Sequence, residues 1–157
     1  MSSYTCNVEW QRGSAAFVDG RYPRAHAWRF DGGAVVPGSS SPHSVRVPLS
    51  DPAAVDPEEA LVAAVSSCHM LWFLSLAAAQ GYVIDSYEDA AEGRLAAFAD
   101  GAVGIVEVVL RPQVVVSGDK RADDASLDAL HHAAHQRCNI GQSLRGEVRV
   151  QGNWRQA

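Results

Sequence analysis

Basic residues are in the minority in this chain, 13 Lys and Arg against 18 Asp and Glu, for a formal net charge of −5. Such a balance lacks the positive footprint that phosphates or anionic lipid would require, so neither nucleic acid nor a membrane surface is an expected partner. Cysteine is scarce too: three residues, at positions 6, 68 and 138. An odd, widely spaced set excludes a secreted disulfide framework, and in a reducing compartment isolated thiols are buried, catalytic or metal-bound. The opening Met1-Ser2-Ser3-Tyr4-Thr5-Cys6 has no basic region followed by an apolar run, and no window reaches the roughly 18 uninterrupted apolar residues of a membrane span. The expectation is a cytoplasmic protein.

With 157 residues, 47% of them hydrophobic and 20% charged, the chain can bury a real core as a single domain over residues 1–157. Tyr4 to Trp10 and Tyr22 to Phe30 alternate with the period of strands that have one buried face, the second ending at Asp31-Gly32-Gly33. Pro37 to Pro57 reads as a long Ser- and Pro-rich connection in which Val45-Arg46-Val47 could form a short strand. Connections of this length are often functional or bound to a partner chain, and residues 1–50 are expected to include a segment that wraps a second subunit. Asp56-Pro57-Glu58-Glu59 combines an N-cap Asp, a first-turn Pro and two carboxylates at the positive end of a helix dipole. It predicts a helix over 57–80 that is apolar nearly all round and so buried on most sides, which favours a dimer.

Residues 82–116 predict two longer strands joined at Asp100-Gly101 as a hairpin. A second helix is expected over 123–139 and a last strand over 146–151. The order β-β-(β)-α-β-β-α-β makes an α+β fold with antiparallel sheets around a long central helix.

Cys68 lies about three turns into the central helix and Cys138 near the end of the second; either thiol could simply fill core space. As a pair they also form the inventory of an attack-and-resolve cycle, in which one thiolate opens a peroxide O–O bond and its sulfenic acid condenses with the other thiol. Such a thiolate calls for a fixed cation, and Arg21, Arg24 and Arg29 are the candidates, with Arg24 preferred. Cys6, without a partner at motif spacing, is assigned to packing.

The stretch Asp56-Pro57-Glu58-Glu59-Ala60-Leu61-Val62-Ala63-Ala64-Val65-Ser66-Ser67-Cys68 resembles the opening of the central helix in OsmC/Ohr proteins, a family of osmotically inducible and organic hydroperoxide resistance peroxidases. Seventy residues on, Cys138-Asn139-Ile140-Gly141 resembles that family's second cysteine motif, with Asn139 and Gly141 where Pro and Ser are usual. The resemblance covers about residues 50–150 well. It implies an intertwined homodimer with sites at the subunit interface and thiol-dependent reduction of organic hydroperoxides. It also implies an Arg and a Glu supporting the peroxidatic Cys68, here Arg24 and Glu58. Cys138 would be the resolving thiol, an external dithiol the reductant, and no metal or organic cofactor would be needed.

Ten helical residues put Glu58 about 15 Å along the axis and roughly 80° around it from Cys68, so Glu58 must act from the other subunit or through an intervening Arg. Dipole compensation alone would also account for Glu58. Two rival readings remain. His131, His135 and Cys138 share one face of the second helix and could join Cys68 in a four-ligand metal site. Alternatively the fold could be a non-catalytic binder of a hydrophobic molecule. His26 and His43 suggest no role, and His69, about 100° around the helix from Cys68, is a weak candidate base.

Overall fold

Two units divide the chain in its computed structural model, which describes all 157 residues: Met1–Ala60 and Leu61–Ala157. In the first, β1 (Cys6–Glu9), β2 (His26–Phe30) and β3 (Val35–Gly38) form an antiparallel meander. The β2–β3 turn closes at Gly33, whose φ of +86° only glycine adopts without strain and whose N–H reaches the Phe30 carbonyl. The third strand is Val35–Gly38, with Pro37 on an edge where its missing donor costs no ladder bond. Val45–Val47 is not a strand: the Val45 and Leu49 amides donate to Ser41 and Arg46 carbonyls in local turns. β1 is exposed at every residue, so Cys6 does not pack into a core of its own chain, contrary to expectation. Three aromatic rings of this unit gather outside its strands, Phe17 stacking on Tyr22 at 4.7 Å with Trp10 against both.

Asp56 starts helix α1 (Pro57–Ala79) as the sequence predicts. Its carboxylate accepts from the Glu59 amide at 2.8 Å, while Glu59 accepts from the Asp56 amide at 3.2 Å, a reciprocal cap. Asp56→Ala should cost about 1 kcal/mol, read as a lowered urea midpoint with an unchanged slope. Gly81, at φ +81°, ends the helix.

α1 has the length and composition to cross a bilayer. Within its own chain it buries one stripe, Val65, His69, Phe73 and Ala77, spaced one turn apart. The expectation of burial on most sides is therefore not met within one chain: Leu71 is 60% exposed, and Ala63, Ala64 and Ala78 are also exposed. The rest of the chain covers one side of the helix, and the apolar residues opposite have no cover from it.

Beyond α1, the long hairpin is four strands: β4 (Val83–Asp89), β5 (Glu92–Ala97), β6 (Val103–Leu110) and β7 (Pro112–Ser117). The turn at Asp100-Gly101 is where the sequence puts it, but both arms break at Ala90-Ala91 and at Arg111, and their halves join different sheets. Asp89 organises the break, its Oδ1 accepting the Arg111 amide at 2.6 Å, and the Arg111 guanidinium pairs with Glu92 across it at 2.8 Å.

The second helix is α2 (Asp124–Arg137), capped by Asp123, and Cys138 begins a further short helix, α3 (Asn139–Gln142). The last strand is two: β8 (Glu147–Val150) runs parallel to β6, and β9 (Asn153–Gln156) parallel to β7. One sheet is thus β5-β6-β8 and the other β4-β7-β9. Val65 packs with Val108 and Leu110 of the first, whereas Phe73 and Ala77 pack with Val114 and Val116 of the second and Leu127, Leu130 and Ala134 of α2. The turn of α1 that carries Cys68 and His69 lies between these two apolar clusters.

Candidate active site

Cys138 is 1% exposed at the junction of α2 and α3, held there by the end of one helix and the start of the next. Its amide donates to the His135 carbonyl, and its sulfur accepts the Gly141 amide at 3.2 Å. The thiol points to the Val65 carbonyl of α1 at 3.9 Å, one turn before Cys68. Cys68 itself, partly exposed, is near enough to Cys138 to help raise its thiol, and both thiols are free. Burial, then the contact with Cys68, pushes the Cys138 thiol up to about 11, against the opposing pull of the Gly141 amide. The two sulfurs are thus neighbours, the more exposed one on α1 and the buried one at the α2–α3 junction.

Beside them lies a group that pattern reading undervalued. His69 Nε2 and His131 Nδ1 are 3.0 Å apart, the rings nearly parallel, and His131 stacks on Phe73 at 4.3 Å. Both residues are buried, and burial holds both imidazoles down to about 4, with His131 and His135 adding to the effect on His69. They are neutral at pH 7, so one donates an N–H and the other accepts. The other ring nitrogen of His69, its Nδ1, has no partner, and neither do the buried Nδ1 of His135 and hydroxyl of Tyr87. Burial and then the nearby Asp89 carboxylate raise the Tyr87 phenol. Asp89 in turn accepts the Ser66 hydroxyl at 2.5 Å. Helical spacing alone marks His69 as a member of the Val65–Phe73–Ala77 stripe; that spacing was the available signal.

The metal reading is not supported by this geometry. No three His, Cys, Asp or Glu side chains converge as a metal site would need. Cys138 has left helical geometry as the cap of α2, and the inner nitrogen of His131 is spent on His69. Nor is the adjoining cleft an apolar pocket: about 370 Å³ in volume, it is lined by Asp128, His131, His132 and His135 as well as Val148, Val150 and Gly152.

Arg24 and Glu58 both belong to the first unit. The Arg24 guanidinium donates to the Gly20 carbonyl at 2.9 Å and to the Tyr22 carbonyl, and lies 3.8 Å over the Tyr22 ring. Glu58, half-buried in the first turn of α1, joins none of the chain's six ion pairs, and Arg24 joins none either. Arg29 is paired with Glu9 at 2.8 Å, and Arg21 is exposed.

The family model of OsmC-like proteins matches residues 50–152 of this chain, the stretch that carries both helices and both thiols. The chain belongs to the OsmC-like family. An OsmC-like protein of unknown function from Vibrio cholerae is 50% identical, superposes with a TM-score of 0.95, and is covered over its full length by 98% of this chain. Two more distant structures share the fold. The organic hydroperoxide resistance protein OsmC of Legionella pneumophila is 16% identical with a TM-score of 0.63, and OhrB of Bacillus subtilis is 18% identical with a TM-score of 0.60; each match covers 98% of both chains. Comparison with curated protein sequences gives no match. As an OsmC-like protein, the chain has the α+β architecture and central helix that its sequence predicts.

Proposed function

We propose that this OsmC-like protein is a thiol-dependent peroxidase that reduces organic hydroperoxides in defence against oxidative stress. The observation that carries the reading is the pair of sulfurs: a partly exposed Cys68 on the central helix, next to a buried Cys138 whose environment keeps it protonated. The Cys68 thiolate attacks the distal peroxide oxygen, the O–O bond breaks, and the alkoxide takes a proton to leave as alcohol. Cys138 then displaces water from the Cys68 sulfenic acid, forming the disulfide, and an external dithiol returns both thiols. A raised Cys138 value suits the second role: a thiol that stays protonated does not compete for peroxide, and acts only when its neighbour is oxidised. The proteins of Legionella and Bacillus with this fold are named for organic hydroperoxide resistance, which supports the substrate class.

In this reading Arg24 stabilises the Cys68 thiolate and Glu58 orients Arg24, with the site completed in a homodimer. Two observations support the dimer: neither Arg24 nor Glu58 has an ion-pair partner in its own chain, and the apolar residues of α1 opposite the buried stripe are exposed. Leu71→Glu should convert the dimer to monomer in sedimentation velocity at micromolar concentration; a wild-type monomer would refute the assembly. No cofactor is invoked, and a cytoplasmic, reducing setting would regenerate the thiols.

The test is peroxide consumption with cumene hydroperoxide and a dithiol by wild type, Cys68→Ser and Cys138→Ser. Absence of turnover in the wild type, or turnover that survives loss of Cys68, would overturn the function.

A further inference from the structure

The peroxidase cycle leaves one step without a group to perform it. Cys138 must lose its proton to attack oxidised Cys68, yet its thiol sits at about 11. Neither hydrogen bond at its sulfur removes that proton: the Gly141 amide donates to it, and the Val65 carbonyl only receives its S–H. A nearby base has to accept it.

His135 stands one turn before Cys138 on the same helix end. Its carbonyl accepts both the Cys138 amide at 3.3 Å and the Gln142 side chain at 3.2 Å, so its backbone is tied to the turn that carries the thiol. Its Nδ1 is buried and unpartnered, while the residue lines the open cleft. Gly141 relates the two groups. A methyl placed on its Cα would stand 3.4 Å from the Cys138 sulfur and 4.0 Å from His135 Nδ1. Thiol and imidazole nitrogen therefore both lie within 4.0 Å of a single point, which a glycine keeps open.

We propose that His135 is the proton acceptor that activates Cys138, with the space beside Gly141 as the path between them. In the peroxidase cycle, on which this assignment rests for its physiological meaning, the Cys138 proton passes to Nδ1 as the Cys138 sulfur attacks the Cys68 sulfur. The Cys68 S–O bond breaks, the S–S bond forms, and the departing hydroxide takes the proton back from the imidazolium as water. The oxidising equivalents come wholly from the hydroperoxide. The cleft gives the imidazolium contact with solvent.

Around His135 the ionisable groups are Asp128, His131 and His132 along the cleft from its own helix, and His69 from α1. The strands facing it contribute uncharged Val148 and Val150. Asp128 is the one carboxylate lining that cleft, and His69 and His131 are neutral near pH 7.

The same chemistry can be read without any peroxide. The aromatic disulfide DTNB, applied to protein with the exposed Cys6 replaced by Ser, first forms a mixed disulfide at Cys68 and releases one thiolate. Cys138 then attacks that mixed disulfide and releases the second. His135→Gln and Gly141→Ala, the latter placing its methyl at ordinary contact distances, should leave the first release unchanged. Both should slow the second roughly a hundredfold at pH 7. The deficit should shrink as pH rises toward the thiol's own ionisation near 11, and added imidazole should restore part of the rate to His135→Ala. A wild-type second phase in His135→Gln would overturn the assignment. So would a deficit that is constant across pH and indifferent to imidazole, since that is the mark of a displaced sulfur. Failure of the peroxidase reading shows separately, as absence of hydroperoxide consumption by wild-type protein.

Discussion

Cys68→Ser should abolish consumption of cumene hydroperoxide, leaving only the background rate of the added dithiol. A serine hydroxyl is not ionised at neutral pH and cannot be regenerated by thiol exchange, so nothing else on α1 can replace the sulfur. Cys138→Ser should behave differently. Its Cys68 should still open one peroxide per chain and stop as sulfenic acid, trapped by dimedone and seen by mass spectrometry, with turnover continuing only as fast as the dithiol reaches that sulfur directly. The geometry supports this asymmetry, because Cys68 is partly exposed and Cys138 is 1% exposed. If Cys68→Ser kept the first turnover and Cys138→Ser lost it, or if Cys138 were the sulfur trapped, the order of attack and resolution would have to be reversed.

Acid should unfold this protein through its buried imidazoles, with a steep loss of stability between pH 6.5 and pH 4. His69 and His131 are held at about 4 against a reference value of 6.5, chiefly by burial. The unfolded chain therefore binds protons across that interval that the folded chain refuses. Stability is fully present above 6.5 and is lost as pH falls toward 4. Either ring taken alone corresponds to roughly 3 kcal/mol. The two contributions do not simply add, because the rings share one hydrogen bond: the first proton leaves an imidazolium donating to a neutral ring, and only the second removes the acceptor.

The carboxylates with depressed values, Asp100, Asp123 and Glu147, release their contribution only within and below the ordinary carboxylate range, so the upper part of the interval belongs to the histidines. Urea melts at pH 7, 5.5 and 4.5 measure the effect, and the double variant His69→Leu/His131→Phe should flatten it. A wild-type midpoint that stays constant from pH 7 to 5 would show that the pair is not buried neutral.

Residues 56–68 were readable because their signals are local. A cap, a first-turn proline and the acidic start act within one turn, and the Asp56–Glu59 exchange forms as that spacing requires. Asp100-Gly101 is read equally well, since Gly101 at φ +85° suits a tight turn whatever surrounds it. The division of the hairpin arms at Arg111 was signalled only by Arg111-Pro112-Gln113, which interrupts the apolar run. That the halves join different sheets depends on the Asp89 carboxylate meeting an amide 22 residues away. Residues 153–156 gave no alternation to mark them as a strand; they become one by pairing with β7.

From the chain alone came the family resemblance, the α+β order, the two helices and the identity of the two cysteines, because helix signals and motif spacing are properties of neighbouring residues. Only the tertiary structure decided that Cys138 is buried against α1 beside Cys68. Only there do His69 and His131, 62 positions apart, become a neutral hydrogen-bonded pair, and only there does His135 share a gap with Cys138 across Gly141. The physical reason is that thiol and imidazole ionisation depends on desolvation and on groups brought close by packing, and no pattern along a chain specifies either.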